Sequence, residues 1–369
     1  MFRFKKYPIL KWSLIVISFF MISLIAFGYW FIGMIPAGPD QEILSRTQSK
    51  DIPYLANKSQ SKNGKILVVV TSCNSMGKSG KETGYELTEV SRAYYVFETN
   101  GFEVDIASPK GGTPPIVIDE DDMGVYDYAF LNDQDAQKKV QHSTPIDDVN
   151  EDLYDAIYFA GGKGAMFDFP KNQKIKQILR KYQESNKLIG AVCHGPAALI
   201  DVRMEDGSFL LDQKKVCSFT NEEELFLISD AKEIFPFLLQ DKLSENGAQF
   251  QKGYQYLDNV IEDGNILTGQ NPWSTWTLAE AMIRKLKHTP LKREMTEEEI
   301  TINVLAAYEQ NGYKMAKELV NTIVNEQNKS LSRNLIGIHS VIAAMKFEFG
   351  KCVDLICLLK HTNKLLESK

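Results

Sequence analysis

Cys193 is the residue whose type and surroundings best suit nucleophilic chemistry. An apolar run at residues 188–192 leads directly into Cys193, and Gly195 and Pro196 follow as the predicted start of a helix. A sharp turn from strand to helix exposes the side chain at its tip and requires small neighbours, which this segment supplies. The sequence therefore predicts a cysteine nucleophile on a turn of this kind.

A thiol at the amino end of a helix is expected to ionise readily. Free backbone N–H groups and the helix dipole favour the anion, so the position of Cys193 predicts a lowered thiol pKa. Cysteine is otherwise most often a small buried residue, and we interpret the remaining cysteines in this way. They are Cys73, Cys217, Cys352 and Cys357. Cys73 follows a predicted strand, which slightly favours it as a neighbour of the site.

The glycine-rich loop at residues 160–164 is the expected opposite wall of the site. It reads Ala-Gly-Gly-Lys-Gly and directly follows a predicted strand. Ligands of open parallel sheets bind beyond the carboxyl ends of the strands. The backbone N–H groups of Gly162 and His194 could there stabilise a negatively charged oxygen. A simple tight turn is the alternative interpretation.

Motifs for several other chemistries are missing from the sequence. The cysteines form no CxxC pair or other zinc spacing, so we expect no metal. Neither GxGxxG nor GxxxxGK[ST] is present, so we expect no nucleotide cofactor. The net charge of -6, without a basic stripe, makes nucleic acid an unexpected partner. No H-x-E pair occurs among the five histidines, and hydrolysis of glutamine by a cysteine triad is therefore not expected.

Strands and helices alternate along the middle of the chain. Apolar runs predict buried strands, and amphipathic stretches between them predict helices. The predicted strands are residues 65–71, 102–107, 156–160, 188–192 and 216–219, with a hairpin at 260–267. The predicted helices are residues 86–100, 171–185, 196–201 and 273–287. The alternation predicts one α/β domain over residues 64–288, with a parallel sheet flanked by helices on both faces.

An uncharged apolar segment at residues 12–35 is long enough to cross a bilayer as a helix. Basic residues precede it and acidic residues follow it, so the positive-inside rule predicts a cytoplasmic N-terminus and an extracytoplasmic α/β domain. We therefore expect a single-pass membrane protein in which residues 1–36 form the anchor. A cleaved signal peptide is the alternative, because residues 26–28 (Ala-Phe-Gly) resemble a cleavage site.

Residues 37–63 and 289–369 flank the α/β domain. The first segment is polar and has no hydrophobic periodicity, which predicts a linker. The second is predicted to be helical, with an antiparallel pair of helices at residues 302–312 and 315–324 followed by a second pair. A weak repeat of about 37 residues is compatible with tetratricopeptide-like units, and a small helical bundle is an equal alternative. A protein partner for these helices is left open.

Five segments, in this order, resemble the PfpI superfamily of the class I glutamine amidotransferase-like fold. They are TSCN (71–74), TGYELTE (83–89), AGGKGAMFDFP (160–170), AVCHGPAAL (191–199) and LTGQNP (267–272). The likeness covers about residues 64–287. Within the superfamily the chain resembles the branch of glutathione-independent glyoxalases (glyoxalase III) and heat-shock chaperones. The fold that this resemblance implies is flavodoxin-like.

The resemblance also implies roles for individual side chains. Cys193 matches the family nucleophile, and His194 matches the histidine next to it. Glu89 matches the carboxylate that contacts the thiol. Glu224 is the match for a third acidic residue, with Glu223 as the alternative.

Departures from the family pattern concern the rim of the site. Lys163 stands where the relatives usually have histidine, and the stretch around residues 78–80 is shortened. Substrate handling is therefore expected to differ. An extracytoplasmic location is also unusual for this group, because an oxidising compartment threatens a reactive thiolate.

The activity that the resemblance implies is the conversion of methylglyoxal-type 2-oxoaldehydes to 2-hydroxy acids without glutathione or another cofactor. Cys193 would add to the carbonyl, Glu89 would move a proton between carbons, and His194 would assist. The alternatives are a deglycase that acts on glycated proteins, and a redox-regulated stress chaperone without turnover. Exposed apolar patches would favour the chaperone. Whether the chain forms a homodimer is left open.

Overall fold

The computed structural model describes residues 8–35, 41–119 and 122–368. They divide into two compact units, which we call the α/β unit (Asp40–Glu294) and the helical unit (Met1–Pro39 together with Met295–Lys369). Two parts of the predictions lie outside the described residues. These are residues 1–7, with most of the cations that set the predicted membrane orientation, and the first part of the predicted linker.

Most of the strands of the α/β unit join one sheet. The strands are β1 (Gly64–Val69), β2 (Tyr85–Glu86), β3 (Phe102–Ser108), β4 (Ile116–Val117), β5 (Thr144–Pro145), β6 (Ala156–Phe159), β7 (Leu188–Val192), β8 (Lys215–Val216), β9 (Gln249–Phe250), β10 (Val260–Asp263) and β11 (Ile266–Gly269). The large sheet has seven strands in the order β10-β11-β7-β6-β1-β3-β5. Strands β10 and β11 are antiparallel, as the hairpin prediction requires, and the other neighbours are parallel.

Strand β1 illustrates why both faces of this sheet are covered. Ile66 and Val68 point into the core on one face, whereas Leu67 and Val69 point into the core on the other. All four side chains are fully buried. A strand that is apolar at every position is typical of a parallel sheet between two layers of helices. The predicted fold class is confirmed.

The helices belong to both units. They are α1 (Pro8–Ile32), α2 (Gln41–Leu44), α3 (Pro53–Ala56), α4 (Leu87–Thr99), α5 (Val125–Asn132), α6 (Gln134–Gln141), α7 (Ala165–Asp168), α8 (Gln173–Glu184), α9 (Asn221–Leu227), α10 (Ala231–Ile234), α11 (Leu239–Glu245), α12 (Thr275–Lys285), α13 (Glu297–Asn321), α14 (Arg333–Met345) and α15 (Phe349–Glu367). Helices α4 and α12 contribute to the core on one face of the sheet, and α8 contributes to the core on the other.

Two predicted elements of the α/β unit are wrong in type or extent. The predicted helix at residues 196–201 is a short 3-10 helix, Gly195–Leu199. The predicted strand at residues 216–219 is reduced to β8, which pairs with β9 in a separate two-stranded sheet. Beyond β8 the chain turns toward the end of β7, where Phe219 N donates to Cys193 O at 2.9 Å.

The described part of the predicted linker, residues 41–63, contains the short helices α2 and α3. Ile52 and Tyr54 are buried in the core of the α/β unit. The amide of Asn100 also donates to the Tyr54 hydroxyl at 2.9 Å. Isolated apolar residues in a polar segment produce no periodicity, so the sequence pattern could not predict this packing.

Helix α1 contains a stretch, Trp12–Ile32, that is apolar and long enough to cross a membrane, with a mean hydropathy of 2.3. Most of its described side chains are exposed, among them those of Phe19 and Phe20. The interpretation of this helix as a membrane span rests on its length and its apolar composition alone.

The main elements of the C-terminal region are helices, as predicted. Helix α13 has a break at Gly312, where φ is 79°, close to the predicted boundary between the first two helices. A π-helical turn, Thr322–Glu326, follows it. Tyr308 on α13 donates to the carboxylate of Asp354 on α15 at 3.1 Å. The tetratricopeptide-like repeat stays a prediction.

Candidate active site

Cys193 occupies a strained turn directly after β7. Its φ of 58° lies in the left-handed region, which non-glycine residues rarely adopt. Gly195 makes the turn sterically possible, since a Cβ there would lie 2.2 Å from Phe159 O. Cys193 N donates to Gly269 O at 2.9 Å, so the neighbouring strand holds the backbone in this conformation. The thiol is thereby fixed at the carboxyl end of the sheet.

Strands β7 and β6 are neighbours, and their carboxyl ends bring the cysteine turn and the glycine-rich loop together. A Cβ on Gly161 would lie 2.7 Å from His194 N. Neither Gly162 N nor His194 N donates to an acceptor among the described residues. Gly162 has a φ of 92°, a conformation that glycine adopts without strain. Both N–H groups are therefore without an acceptor among the described residues, one directly after the thiol and one in the facing loop.

Glu89 lies in the first turn of α4 and is completely buried. Its Oε2 accepts the N–H of Gly161 at 2.6 Å, and Tyr158 Oη donates to its backbone oxygen at 2.9 Å. Burial raises the pKa of the Glu89 carboxyl well above its ordinary value, and the charge of Glu86 adds to this, while interaction with the Cys193 thiol opposes it. The result is a buried carboxyl with a raised proton affinity next to the thiol.

His194 connects the thiol to a second carboxylate. Its Nδ1 lies 3.3 Å from Cys193 Sγ, and its Nε2 lies 2.6 Å from Glu224 Oε2. All three side chains are buried. The ring of Phe219 lies beside the imidazole, with 4.9 Å between the ring centroids. This apolar ring and the Glu224 carboxylate restrict the orientation of the histidine.

Glu223 and Glu224 are adjacent in sequence but have different partners. Glu223 accepts hydrogen bonds from the backbone and hydroxyl of Thr220, and from the backbone of Tyr256. It also accepts the side-chain amides of Gln270 and Asn271, each at 3.0 Å. Glu224 is thus the member of the pair that contacts His194, and Glu223 holds the surrounding loops together.

The predicted lowering of the thiol pKa is wrong. Burial raises the pKa of the Cys193 thiol well above its ordinary value, and the carboxyl of Glu89 raises it further. Glu86 and Glu224 act in the same direction. The helix that follows is a 3-10 helix of five residues, too short to supply a strong dipole. A proton acceptor is therefore needed when the thiol reacts.

Glu86 is a member of the site that the sequence interpretation missed. It lies three residues before Glu89, and its backbone N–H donates to Gly161 O at 3.3 Å. Burial, followed by the charge of Asp122, raises the pKa of Glu86 to about 7, against the opposing charge of Lys163. The spacing of Glu86 and Glu89, which puts both on one side of the start of α4, is the signal that could have revealed it.

The other cysteines of the α/β unit make structural contacts. Cys217 is buried and donates to Thr268 O at 3.1 Å. Cys73 is half-buried and donates to Ser75 O at 3.1 Å. Within the described part of the chain, no group of three or more histidine, cysteine or acidic side chains is arranged to hold a metal ion.

Comparisons with known proteins identify the family to which this chain belongs. The model of the DJ-1/PfpI family matches residues 81–224, which include Glu89, Cys193 and Glu224. A probable glutathione-independent glyoxalase of Schizosaccharomyces pombe is 31% identical over 241 residues, which cover 57% of this chain and 92% of that protein. The chain belongs to the DJ-1/PfpI family.

Two solved structures extend the comparison within the DJ-1/PfpI family. Rapid Encystment Protein 24 kDa of Francisella tularensis is 37% identical, with a TM-score of 0.58, and the match covers 60% of this chain and 99% of that one. Glyoxalase III of Candida albicans is 25% identical, with a TM-score of 0.56, and the match covers 60% of this chain and 97% of that one. The remainder of the chain has no counterpart in these two proteins.

Proposed function

We propose that this DJ-1/PfpI protein is a glutathione-independent glyoxalase, which converts methylglyoxal-type 2-oxoaldehydes to 2-hydroxy acids. The observation that carries the proposal is the buried thiol of Cys193, between the imidazole of His194 at 3.3 Å and the carboxyl of Glu89. The relatives named as glyoxalases support the choice of reaction.

The first step is addition of the Cys193 thiol to the aldehyde carbon. The sulfur–carbon bond forms as the carbonyl electron pair moves to oxygen, and this oxygen takes up a proton to give a hemithioacetal. The free N–H groups of Gly162 and His194 stabilise the developing negative charge. Because the thiol has a raised pKa, its proton passes to a neighbouring base during the attack rather than before it.

Glu89 is suited to the next proton transfer. Its carboxylate removes the proton from the former aldehyde carbon, the electron pair forms a double bond to the adjacent carbon, and the oxygen on that adjacent carbon takes up a proton to give an enediol. Glu89 then returns its proton to the adjacent carbon as the hydroxyl on the former aldehyde carbon loses its proton and becomes a carbonyl. The product is a 2-hydroxyacyl thioester of Cys193. Hydrolysis by water releases the 2-hydroxy acid and restores the thiol, so the overall change is the addition of one water molecule.

The His194–Glu224 pair supplies the second proton route in this scheme. Glu224 stabilises a positive charge on the imidazole, which allows His194 to deliver a proton to the carbonyl oxygen and later to assist water. The two carboxyl groups thus have separate tasks, with Glu89 acting on carbon and Glu224 acting through the histidine.

The proposal is tested with the full chain in detergent, supplied with methylglyoxal in the absence of glutathione. Lactate is the expected product. A chain that forms no lactate, but releases free lysine or arginine side chains from methylglyoxal-treated peptides, would be a deglycase instead. If neither reaction occurs and the chain suppresses aggregation of unfolded proteins, the chaperone alternative would replace the enzyme.

We further infer that α1 anchors the protein in a membrane, with the N-terminus in the cytoplasm and the α/β unit on the other side. The support is the uninterrupted apolar stretch Trp12–Ile32 and the exposure of its side chains. The intact mass of the purified protein tests the anchor, because a cleaved signal peptide would remove this stretch. Protease added outside intact cells tests the orientation, and resistance of the α/β unit to that protease would contradict it.

A further inference from the structure

The turn between α14 and α15 and the adjoining parts of both helices carry a group of exposed apolar side chains, which we call the apolar hairpin face. Its members are Ile338, Val341, Met345, Phe347, Phe349 and Val353. Phe347 is 78% exposed and Phe349 is 64% exposed, and their rings are in edge contact, 6.1 Å apart. Large apolar side chains collected in this way on a folded surface usually mark an interaction site.

The helical pattern separates this face from the interior of the helical unit. Ile338, Val341 and Met345 follow one another at spacings of three and four residues, which places them on one side of α14. Ile336 and Ala343, on the other side of the helix, are completely buried. The apolar hairpin face is therefore additional to the core and is not part of it.

The membrane-exit end of α1 packs against the open end of this hairpin, where α14 begins and α15 ends. A Cβ on Gly337 would lie 2.8 Å from Ile35 Cδ1 and 3.9 Å from Phe31 Cζ. The side-chain amide of Asn363, on α15, donates to Met34 O at 2.8 Å. Ile338, the first member of the apolar hairpin face, is the residue after Gly337.

The aromatic residues at the end of α1 indicate the level of the bilayer surface. Tyr29, Trp30 and Phe31 are consecutive, and tyrosine and tryptophan concentrate where acyl chains meet headgroups. Because Phe31 lies beside Gly337, the first half of helix α14 begins at this level. The hairpin is therefore held within reach of lipid by the same helix that crosses the membrane.

Charges next to the exposed phenylalanines are paired. Glu348, which lies between Phe347 and Phe349, is 3.4 Å from Lys346 and 3.6 Å from Lys351. These lysines offset the negative charge of Glu348. Moving the turn toward acyl chains therefore costs less desolvation free energy than it would with an isolated carboxylate.

We propose that the apolar hairpin face inserts into the surface of the lipid leaflet through which α1 leaves the membrane. The apolar side chains contact acyl chains and the polar remainder of α14 and α15 stays among the headgroups, as in other interfacial helices. This inference rests on the proposed membrane anchor. It gives the C-terminal helices a role as a second membrane contact, which fixes the helical unit against the bilayer.

Photo-crosslinking of the full chain in vesicles of phosphatidylcholine and phosphatidylglycerol tests the proposal. Phe347→p-benzoylphenylalanine and Phe349→p-benzoylphenylalanine are expected to give lipid adducts by mass spectrometry after illumination. Both positions are exposed, so these substitutions leave the core intact. Phe20→p-benzoylphenylalanine, within α1, serves as the positive control, and Glu318→p-benzoylphenylalanine, at an exposed polar position of the helical unit, serves as the negative control.

The possible results separate this inference from the anchor itself. The proposal is supported if the yield of lipid adducts at positions 347 and 349 is at least about tenfold higher than the yield at position 318. Adducts at position 20 without adducts at 347 and 349 would overturn the hairpin inference and leave the anchor standing. The absence of adducts at all three positions would overturn both. Crosslinks from 347 or 349 to a second copy, or to an added unfolded protein, would assign the face to self-association or to chaperone binding instead.

Discussion

The imidazole of His194 and the carboxylate of Glu224 make a 2.6 Å contact through Nε2 and Oε2, and both side chains are buried. Glu224 belongs to the first turn of α9, whereas His194 immediately follows the nucleophile after β7. This contact directs the other imidazole nitrogen toward Cys193 Sγ. The orientation of the histidine beside the thiol thus depends on an element distant in sequence.

Glu224→Gln should lower kcat for methylglyoxal while leaving the protein folded. A hydrogen bond to a charged group contributes about 1.5–3 kcal/mol, which corresponds to roughly a tenfold to hundredfold loss of rate. Steady-state kinetics measure the loss. Glu222→Gln is the matched control, because Glu222 lies in the same helical turn and pairs with Lys252. Equal losses in both variants would show that the effect does not pass through His194.

Glu89→Gln should impair the proton transfer between carbons. Glutamine can still accept the N–H of Gly161, but it cannot take up the proton, so kcat is expected to fall by about 10²- to 10⁴-fold. Alkylation of Cys193 by iodoacetamide should persist in this variant, which separates loss of chemistry from loss of structure. Glu98→Gln, near the other end of α4, is the control. A Glu89→Gln enzyme that keeps full activity would refute the assigned role.

Glu86→Gln should make Cys193 react at lower pH. The pKa of Glu86 is about 7, and above that pH its negative charge opposes formation of the thiolate. Removal of this charge lowers the thiol pKa. The pH at which alkylation reaches half of its maximal rate, which we call the midpoint, should therefore fall by roughly half to one pH unit. Glu98→Gln should leave the midpoint unchanged. A midpoint that rises in Glu86→Gln would contradict the sign of this interaction.

Glu223→Gln should reduce stability. The five hydrogen bonds that the carboxylate of Glu223 accepts join Thr220, Tyr256, Gln270 and Asn271. In the glutamine variant an amide nitrogen would face some of these donors. Loss of buried charge-assisted hydrogen bonds is expected to cost about 2–4 kcal/mol. Thermal unfolding followed by near-ultraviolet circular dichroism measures this. Glu222→Gln should stay within about 0.5 kcal/mol of the unmodified chain, and similar unfolding of both variants would disprove the structural role.

Sequence patterns predicted the centre of the fold well because its elements have strong local signals. Strand β1 is a run of apolar residues, and β7 is another that ends at Cys193. The β10–β11 hairpin has Asp263-Gly264 where β10 enters the two-residue turn, a strong local signal for two antiparallel strands. These features depend on neighbours in sequence, which is the information that a single chain provides.

The chemical state of the site could not be predicted in the same way. The raised pKa of Cys193 results from burial and from carboxyl groups that come from two separate helices. The sequence suggested a thiol at a helix start, but it gave neither the length of that helix nor the positions of Glu86 and Glu224 around the sulfur. Electrostatic effects of this kind depend on distances that only the folded chain defines.

Cys193→Ala tests the central claim most directly. The full chain and this variant are incubated with methylglyoxal without glutathione, and lactate is quantified by enzymatic assay or by nuclear magnetic resonance. Cys357→Ala serves as a control, because Cys357 is exposed and lies in the helical unit. Lactate formation by the unmodified chain and by Cys357→Ala, with none above background from Cys193→Ala, is the result that the account predicts. Lactate formed at an undiminished rate by Cys193→Ala would contradict it.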